Sequence, residues 1–151
     1  MNDSELVTRV RTLVETMYGG YIGGDRGAID ALLDPDLTMF DSASPALISG
    51  MDELNAVRAA RGTDSDDSQE ARTETALTAG RFTARRIGDV ISATWWLRID
   101  AVDANGKPVI PEVVRNSAVL VDTAGPLRIV QLHEGVVQHF GGPEIAGLPN
   151  V

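Results

Sequence analysis

Apolar residues recur at three- and four-residue steps through the N-terminal segment. Leu6, Val10, Leu13, Met17 and Tyr21 fall on one stripe, with Val7, Val14 and Tyr18 beside it. That spacing predicts an amphipathic helix. Asp3 or Ser4 is placed to cap its start. Gly19, Gly20, Gly23 and Gly24 gather at its end, where glycine tolerates left-handed backbone angles. Asp25 can cap a short second helix through Ala28, Ile29, Leu32 and Leu33, stopped by Pro35. Leu37 to Phe40 reads as a short strand. Ser49 followed by Asp52, ahead of Leu54 and Val57, resembles a capping box and predicts a third helix to about Arg61.

From Thr75 the period becomes alternating. Thr75–Arg86 and Val90–Ala101 read as strands around a Gly88-Asp89 hairpin turn. Asn105-Gly106 marks the next turn, and Val113–Val121 and Leu127–Val137 follow, divided by Thr123-Ala124-Gly125-Pro126. In the segment from Val90, one face is wholly apolar: Ile91, Ala93, Trp95, Leu97 and Ile99. The other, with Ser92, Thr94, Trp96 and Arg98, is mixed. The apolar face is expected to meet the helices, and the mixed face to carry Trp96 into a subunit interface. Helices first and an antiparallel meander afterwards define an α+β domain with helices on one face of a curved sheet. Gly62 to Glu74, rich in acids and without apolar period, is expected to be a solvated loop. The Gly/Pro-rich tail 141–151 is expected to be loosely held, leaving one domain over residues 1–140.

Charge narrows the range of partners. The chain of 151 residues carries 13 basic and 22 acidic side chains, a net charge of −9. So acidic a chain is poorly suited to nucleic acid or an anionic membrane surface, both of which call for Lys and Arg. No run is long and apolar enough to predict a membrane span, and no targeting signal is visible, so the cytoplasm is the expected compartment. There is no cysteine, which excludes disulfides and thiolate chemistry. His133 and His139 alone do not make a zinc set, and the glycine pairs do not follow a strand as dinucleotide-binding turns do. Neither a metal nor a cofactor is expected.

Four stretches carry a family resemblance. They are Tyr21-Ile22-Gly23-Gly24-Asp25, Leu33-Asp34-Pro35-Asp36-Leu37-Thr38, Ser49-Gly50-Met51-Asp52-Glu53-Leu54, and the pair Val114-Arg115-Asn116-Ser117 with Leu127 to Glu134. In order and spacing the chain resembles the nuclear transport factor 2-like superfamily, in its SnoaL-like bacterial branch. The resemblance implies a cone: a bent antiparallel sheet wrapped around a long N-terminal helix and two shorter ones, open at one end to a small apolar molecule. It also implies a homodimer paired through the outer sheet face. The superfamily hosts isomerases, cyclases, dehydratases, hydrolases and non-catalytic binders, so the fold leaves open whether this chain is an enzyme, a ligand-binding module or a dimeric scaffold.

Asp41 follows the Leu37–Phe40 strand, close to where ketosteroid isomerases of the superfamily keep a proton-shuttling aspartate. A carboxylate at an apolar wall is suited to accept a proton from carbon; equally, Asp41 can brace the loop before Pro45. Where those isomerases keep an oxyanion tyrosine this chain has Met17, with Tyr18 beside it. His133 is the second catalytic candidate, read on one face with Ile129 and Gln131, or else a satisfied core histidine. Arg115 is a ligand anchor or a structural ion-pair partner of Asp41 or Glu112. Tyr18, Tyr21, Phe40 and Trp95 complete the expected ligand lining, with core packing as the alternative for each.

Overall fold

A computed structural model describes residues 2–63 and 72–151, with the side chains of residues 62 and 63 excepted. The long helix α1 spans Asp3–Ile22. Its cap is one residue earlier than the sequence pattern indicates. The Asn2 side chain accepts from the Glu5 N–H at 2.8 Å, and Glu5 accepts from the Asn2 N–H at 3.1 Å, a reciprocal capping box. Helix α2 covers Arg26–Asp30, capped by Asp25, and α3 covers Gly50–Thr63. At the start of α3 it is Glu53, rather than Asp52, that reaches back to the Ser49 N–H, at 2.6 Å.

The strands are β1 (Leu33–Phe40), β2 (Ile48–Ser49), β3 (Arg72–Ile87), β4 (Val90–Asp103), β5 (Glu112–Val121) and β6 (Arg128–Gln138). They form one six-stranded sheet in the order β2-β1-β6-β5-β4-β3. The meander β3 to β6 is antiparallel, and β1 joins it parallel to β6. Strand β1 begins earlier than predicted, at Leu33, and so contains Pro35. Proline lacks the N–H a ladder needs, and the register shifts between Leu33 and Thr38 to pass it. The acidic stretch predicted as a loop through Glu74 gives way to β3 at Arg72; its central part, residues 64–71, lies outside the described residues.

The concave face holds the core. Val10, Val14, Leu37, Ile91, Leu120 and Ile129 are fully buried there, and Trp95 is 1% exposed. Every member of the Ile91-to-Ile99 apolar face is buried, as the alternation predicts. Asp122, just after β5, pins α1 to the sheet by accepting from Arg86 and Arg9, which hold its carboxyl down at about 2.

The tail contradicts the expectation of a loose end. The Gln138 side chain donates to the Pro111 carbonyl and accepts from the Ile145 N–H, both at 2.8 Å. Further on, Arg81 Nε donates to the Asn150 carbonyl at 2.8 Å, and Val151 lies over Gly80, the register partner of Trp96 on the convex face. Side-chain anchors replace the missing secondary structure. Arg81→Ala should therefore speed amide exchange in residues 146–151 while lowering stability by no more than about 0.5 kcal/mol, as surface changes do. Unchanged exchange in the tail would show that the Arg81 bond does not hold it.

Candidate functional site

A bulge decides which side chains of β6 face the concave side. Along β5–β6, Val119 pairs with Gln131 and Leu120 with Ile129, so Val130 is an extra residue in β6. An inserted residue reverses the alternation of everything beyond it. Ile129 and Leu132 are both buried on the concave face, and Glu134 and Val136 follow Leu132 inward. His133 is sent to the convex side, where it is exposed and its ring centroid lies 5.4 Å from that of Phe40.

The consequence is a polar row across the concave face. Trp95 of β4 is the register partner of Asn116 of β5, and Asn116 is the partner of Glu134 of β6. Phe40 of β1 pairs with His133, so Asp41, the next residue, comes beside Glu134. Asp41 and Glu134 share a hydrogen bond. Asp41 Oδ2 also accepts from the Ala43 N–H at 2.9 Å and from Arg61 of the last turn of α3. Asp41 thus braces its own loop and lies beside Glu134. Arg61 and Glu134, which the sequence pattern does not single out, complete the constellation.

Electrostatics separate the two carboxyls. Part of the Glu134 side chain reaches solvent, yet protein atoms crowd it on nearly all sides. Burial first, then the charge and hydrogen bond of Asp41, push its pKa up to about 8 against the opposing pull of Arg61. Two carboxyls this close do not both ionise readily. At neutral pH Glu134 holds its proton, and Arg61 sits beside Asp41. Glu112, at the start of β5, is raised as well, chiefly by burial.

Tyr18 connects the row to an apolar groove. Trp95 Nε1 donates to its hydroxyl oxygen at 2.8 Å, leaving the tyrosine's own O–H to donate onward. Burial and, secondarily, Glu134 push its pKa far up, so it acts as a neutral donor. The groove has a volume of about 300 Å³ and runs between α1 and β3, lined by Glu15, Tyr18, Gly19 and Ile22 on one side and Thr75, Ala76, Leu77 and Ala79 on the other. Tyr21, not part of the groove's lining, is 55% exposed and hydrogen-bonded to Glu74; burial of its hydroxyl and that glutamate raise its pKa to about 12.

Of the seven residues picked out by sequence, the structure places Asp41, Tyr18 and Trp95 on the concave side, and leaves Tyr21 exposed at the end of α1. Phe40 (42% exposed), His133 and Arg115 sit on the convex face, so none of them meets a ligand held beside Asp41. Arg115 pairs in register with Trp96 and Gly135, away from Asp41 and Glu112. Among the described residues no group of three His, Asp or Glu side chains converges as a metal site, and no helix is long and apolar enough to cross a membrane.

Comparison with known proteins places the chain. The profile of the SnoaL-like domain matches residues 10–138, and the chain belongs to that family, within the nuclear transport factor 2-like superfamily. A search of curated proteins found no match. Among solved structures, an NTF2-like protein of unknown function from Pseudomonas putida superposes with a TM-score of 0.68 at 14% identity, over 97% of this chain and 98% of that one. The CaMKII hub of S. rosetta gives 0.66 at 18% identity, over 87% and 96%. A structure from Catenulispora acidiphila in complex with S-DNPA gives 0.65 at 14%, over 88% and 94%. These likenesses establish the α+β cone.

Proposed function

We propose that this protein is a cofactor-independent acid–base catalyst acting on a small, largely apolar molecule that carries a carbonyl-activated C–H. The observation that carries the reading is the Asp41–Glu134 pair: two hydrogen-bonded carboxyls on the concave face, with the proton held on one of them. Paired groups whose environments drive their pKa values apart divide acid and base roles. Asp41 takes the proton from carbon, and the electron pair moves to the carbonyl oxygen. Glu134 delivers its proton to that oxygen and forms the enol. Where the substrate carries a C=C next to that carbon, Asp41 returns its proton to the far alkene carbon as the enol O–H gives its proton back to Glu134, so the double bond shifts and both groups are restored. Arg61 holds Asp41 in place throughout, and the groove beside Tyr18 takes the apolar body of the substrate. A small-molecule complex of a structural neighbour is in keeping with this use of the fold.

The test is exchange of the α-hydrogens of 2-indanone in D₂O, followed by proton NMR. The wild-type protein should accelerate exchange, and Asp41→Asn should lower that acceleration about 100-fold or more, the usual worth of a positioned base. An Asn variant as active as wild type would remove Asp41 from the chemistry.

A second reading concerns assembly. The convex face carries Trp96, Phe40 and His133, and the chain is similar in fold to the hub named above. We infer a homodimer through this face. Native mass spectrometry should give a dimer of twice the 16.1 kDa chain, and a monomer at micromolar concentration would end that inference.

A further inference from the structure

Gly19 is a glycine that folding does not require. The others at this end of α1 each have a structural reason to lack a side chain. A Cβ on Gly20 would come within 3.0 Å of Ile29 Cγ1 and 3.1 Å of the Asp25 carbonyl oxygen, so α2 would have to give way. One on Gly23 would crowd the Gly19 carbonyl oxygen at 3.1 Å, and Gly24 has a φ of +70°. Gly19 differs from all three. It lies inside α1 with helical backbone, and a Cβ there would meet no atom of the described residues within 4 Å. Glycine inside a helix is less stable than alanine, because it loses more backbone freedom on folding. Alanine would fit at Gly19 and strengthen the helix.

What the missing side chain leaves is room in the groove between α1 and β3. Gly19 lines it on the same flank of the helix as Glu15 and Ile22, four residues before and three after. Ile22 is apolar yet 50% exposed. Opposite stand Leu77 and Ala79, register partners of the concave-face residues Ile99 and Leu97. The acid of the lining, Glu15, lies 3.8 Å from the Arg11 guanidinium. The groove therefore offers no uncompensated charge, and an ion entering it would lose water without gaining a counter-charge. Its volume of about 300 Å³ is at the small end of ligand sites. That suits a molecule of one or two rings, and is too little for a helix of another protein, about 10 Å across.

We propose that Gly19 is a specificity-determining residue: its missing side chain leaves the α1 backbone bare, so that an uncharged, flat ring of the ligand lies against it in the groove. The proposal rests on the proposed function for one point, that the groove seats the apolar part of the substrate. It adds that this part is an uncharged ring, and that residue 19 limits its size.

The probe is indane, an uncharged two-ring hydrocarbon. It is titrated to its solubility limit into the wild-type protein, Gly19→Ala and Gly19→Leu, followed by ¹H–¹⁵N NMR. In wild type the amide resonances of Gly19, Ile22, Leu77 and Ala79 should shift. Affinity should fall with side-chain size, by about threefold in Gly19→Ala and about tenfold in Gly19→Leu, as the new side chain takes the surface the ring would bury. Both variants should melt above wild type, by about 2–4 °C, which separates a filled groove from a damaged fold. Gly19→Ala carries the test if the leucine variant does not fold. Three results would overturn the proposal: indane that leaves those amides still in wild type; unchanged affinity in the folded variants; or a Gly19→Ala protein that melts below wild type. Shifts at the same amides that follow protein concentration without indane would put a second copy in the groove, and would overturn it too. Each such failure leaves the Asp41–Glu134 reading standing, because that reading is tested by proton exchange on 2-indanone.

Discussion

Glu134→Gln should give a protein that is more stable than wild type at pH 8 and inactive in α-proton exchange. The folded state holds a proton on Glu134 up to about pH 8, whereas the unfolded chain releases it near the usual glutamate value of about 4.3. Between those limits the folded state binds more protons than the unfolded one, so stability falls as pH rises. Below the window both states are protonated and nothing is lost. Above it, the cost of a buried carboxylate beside Asp41 is borne in full. Glutamine has nearly the same shape and no charge to bury. Allowing for relaxation around a closely coupled pair, the gain at pH 8 should be about 2 kcal/mol, or roughly 4–8 °C in Tm for a chain of this size. At pH 4 the difference should vanish. Melting curves of both proteins across pH 4–9 measure it; parallel curves would show that Glu134 is not held protonated. Loss of function with a gain in stability is the signature of a side chain kept for chemistry rather than for folding.

Trp95→Ala is the second large effect, with the opposite sign. The indole is 1% exposed at the centre of the concave face, its ring stacked on Phe82 with centroids 6.1 Å apart. Deleting it opens a cavity and leaves the Tyr18 hydroxyl without its donor. A large-to-small change of this kind costs about 3–5 kcal/mol, a large share of a marginal total stability. Trp95→Phe separates the two contributions, keeping most of the packing while removing the N–H. It should cost about 1–2 kcal/mol. Urea titrations of the two variants check both figures. A Phe variant as unstable as the Ala variant would assign the indole's worth to its hydrogen bond instead of its bulk.

Much of this architecture is legible in the sequence, for identifiable reasons. The α1 stripe and the Ile91-to-Ile99 alternation are long and regular, and each buries the face it predicts, save Tyr21 at the end of α1, which is exposed. Asp41 is reached because it follows a short strand at a point where a related family keeps an aspartate. Glu134 is hidden by the Val130 bulge. Without it, strict alternation groups His133 with Ile129 and places Glu134 opposite, the reverse of what the register gives. A usable signal existed: Glu134 lies between Leu132 and Val136, a lone acid in an apolar alternation. Asn116, between Val114 and Ala118, carries the same signal. Arg61 was out of reach, since its approach to Asp41 depends on how α3 packs against β1. The tail misled because Gly/Pro composition reports on secondary structure, while its anchors are the side chains of Gln138 and Arg81.

The shared proton is the central claim, and ¹³C NMR titration of the Glu134 side-chain carboxyl tests it most directly. The account predicts a carboxyl titrating near pH 8 in wild type and distinctly lower in Asp41→Asn, where the neighbouring charge is gone but burial remains. A Glu134 carboxyl that titrates in the ordinary range near 4, unmoved by the Asp41 substitution, would contradict it.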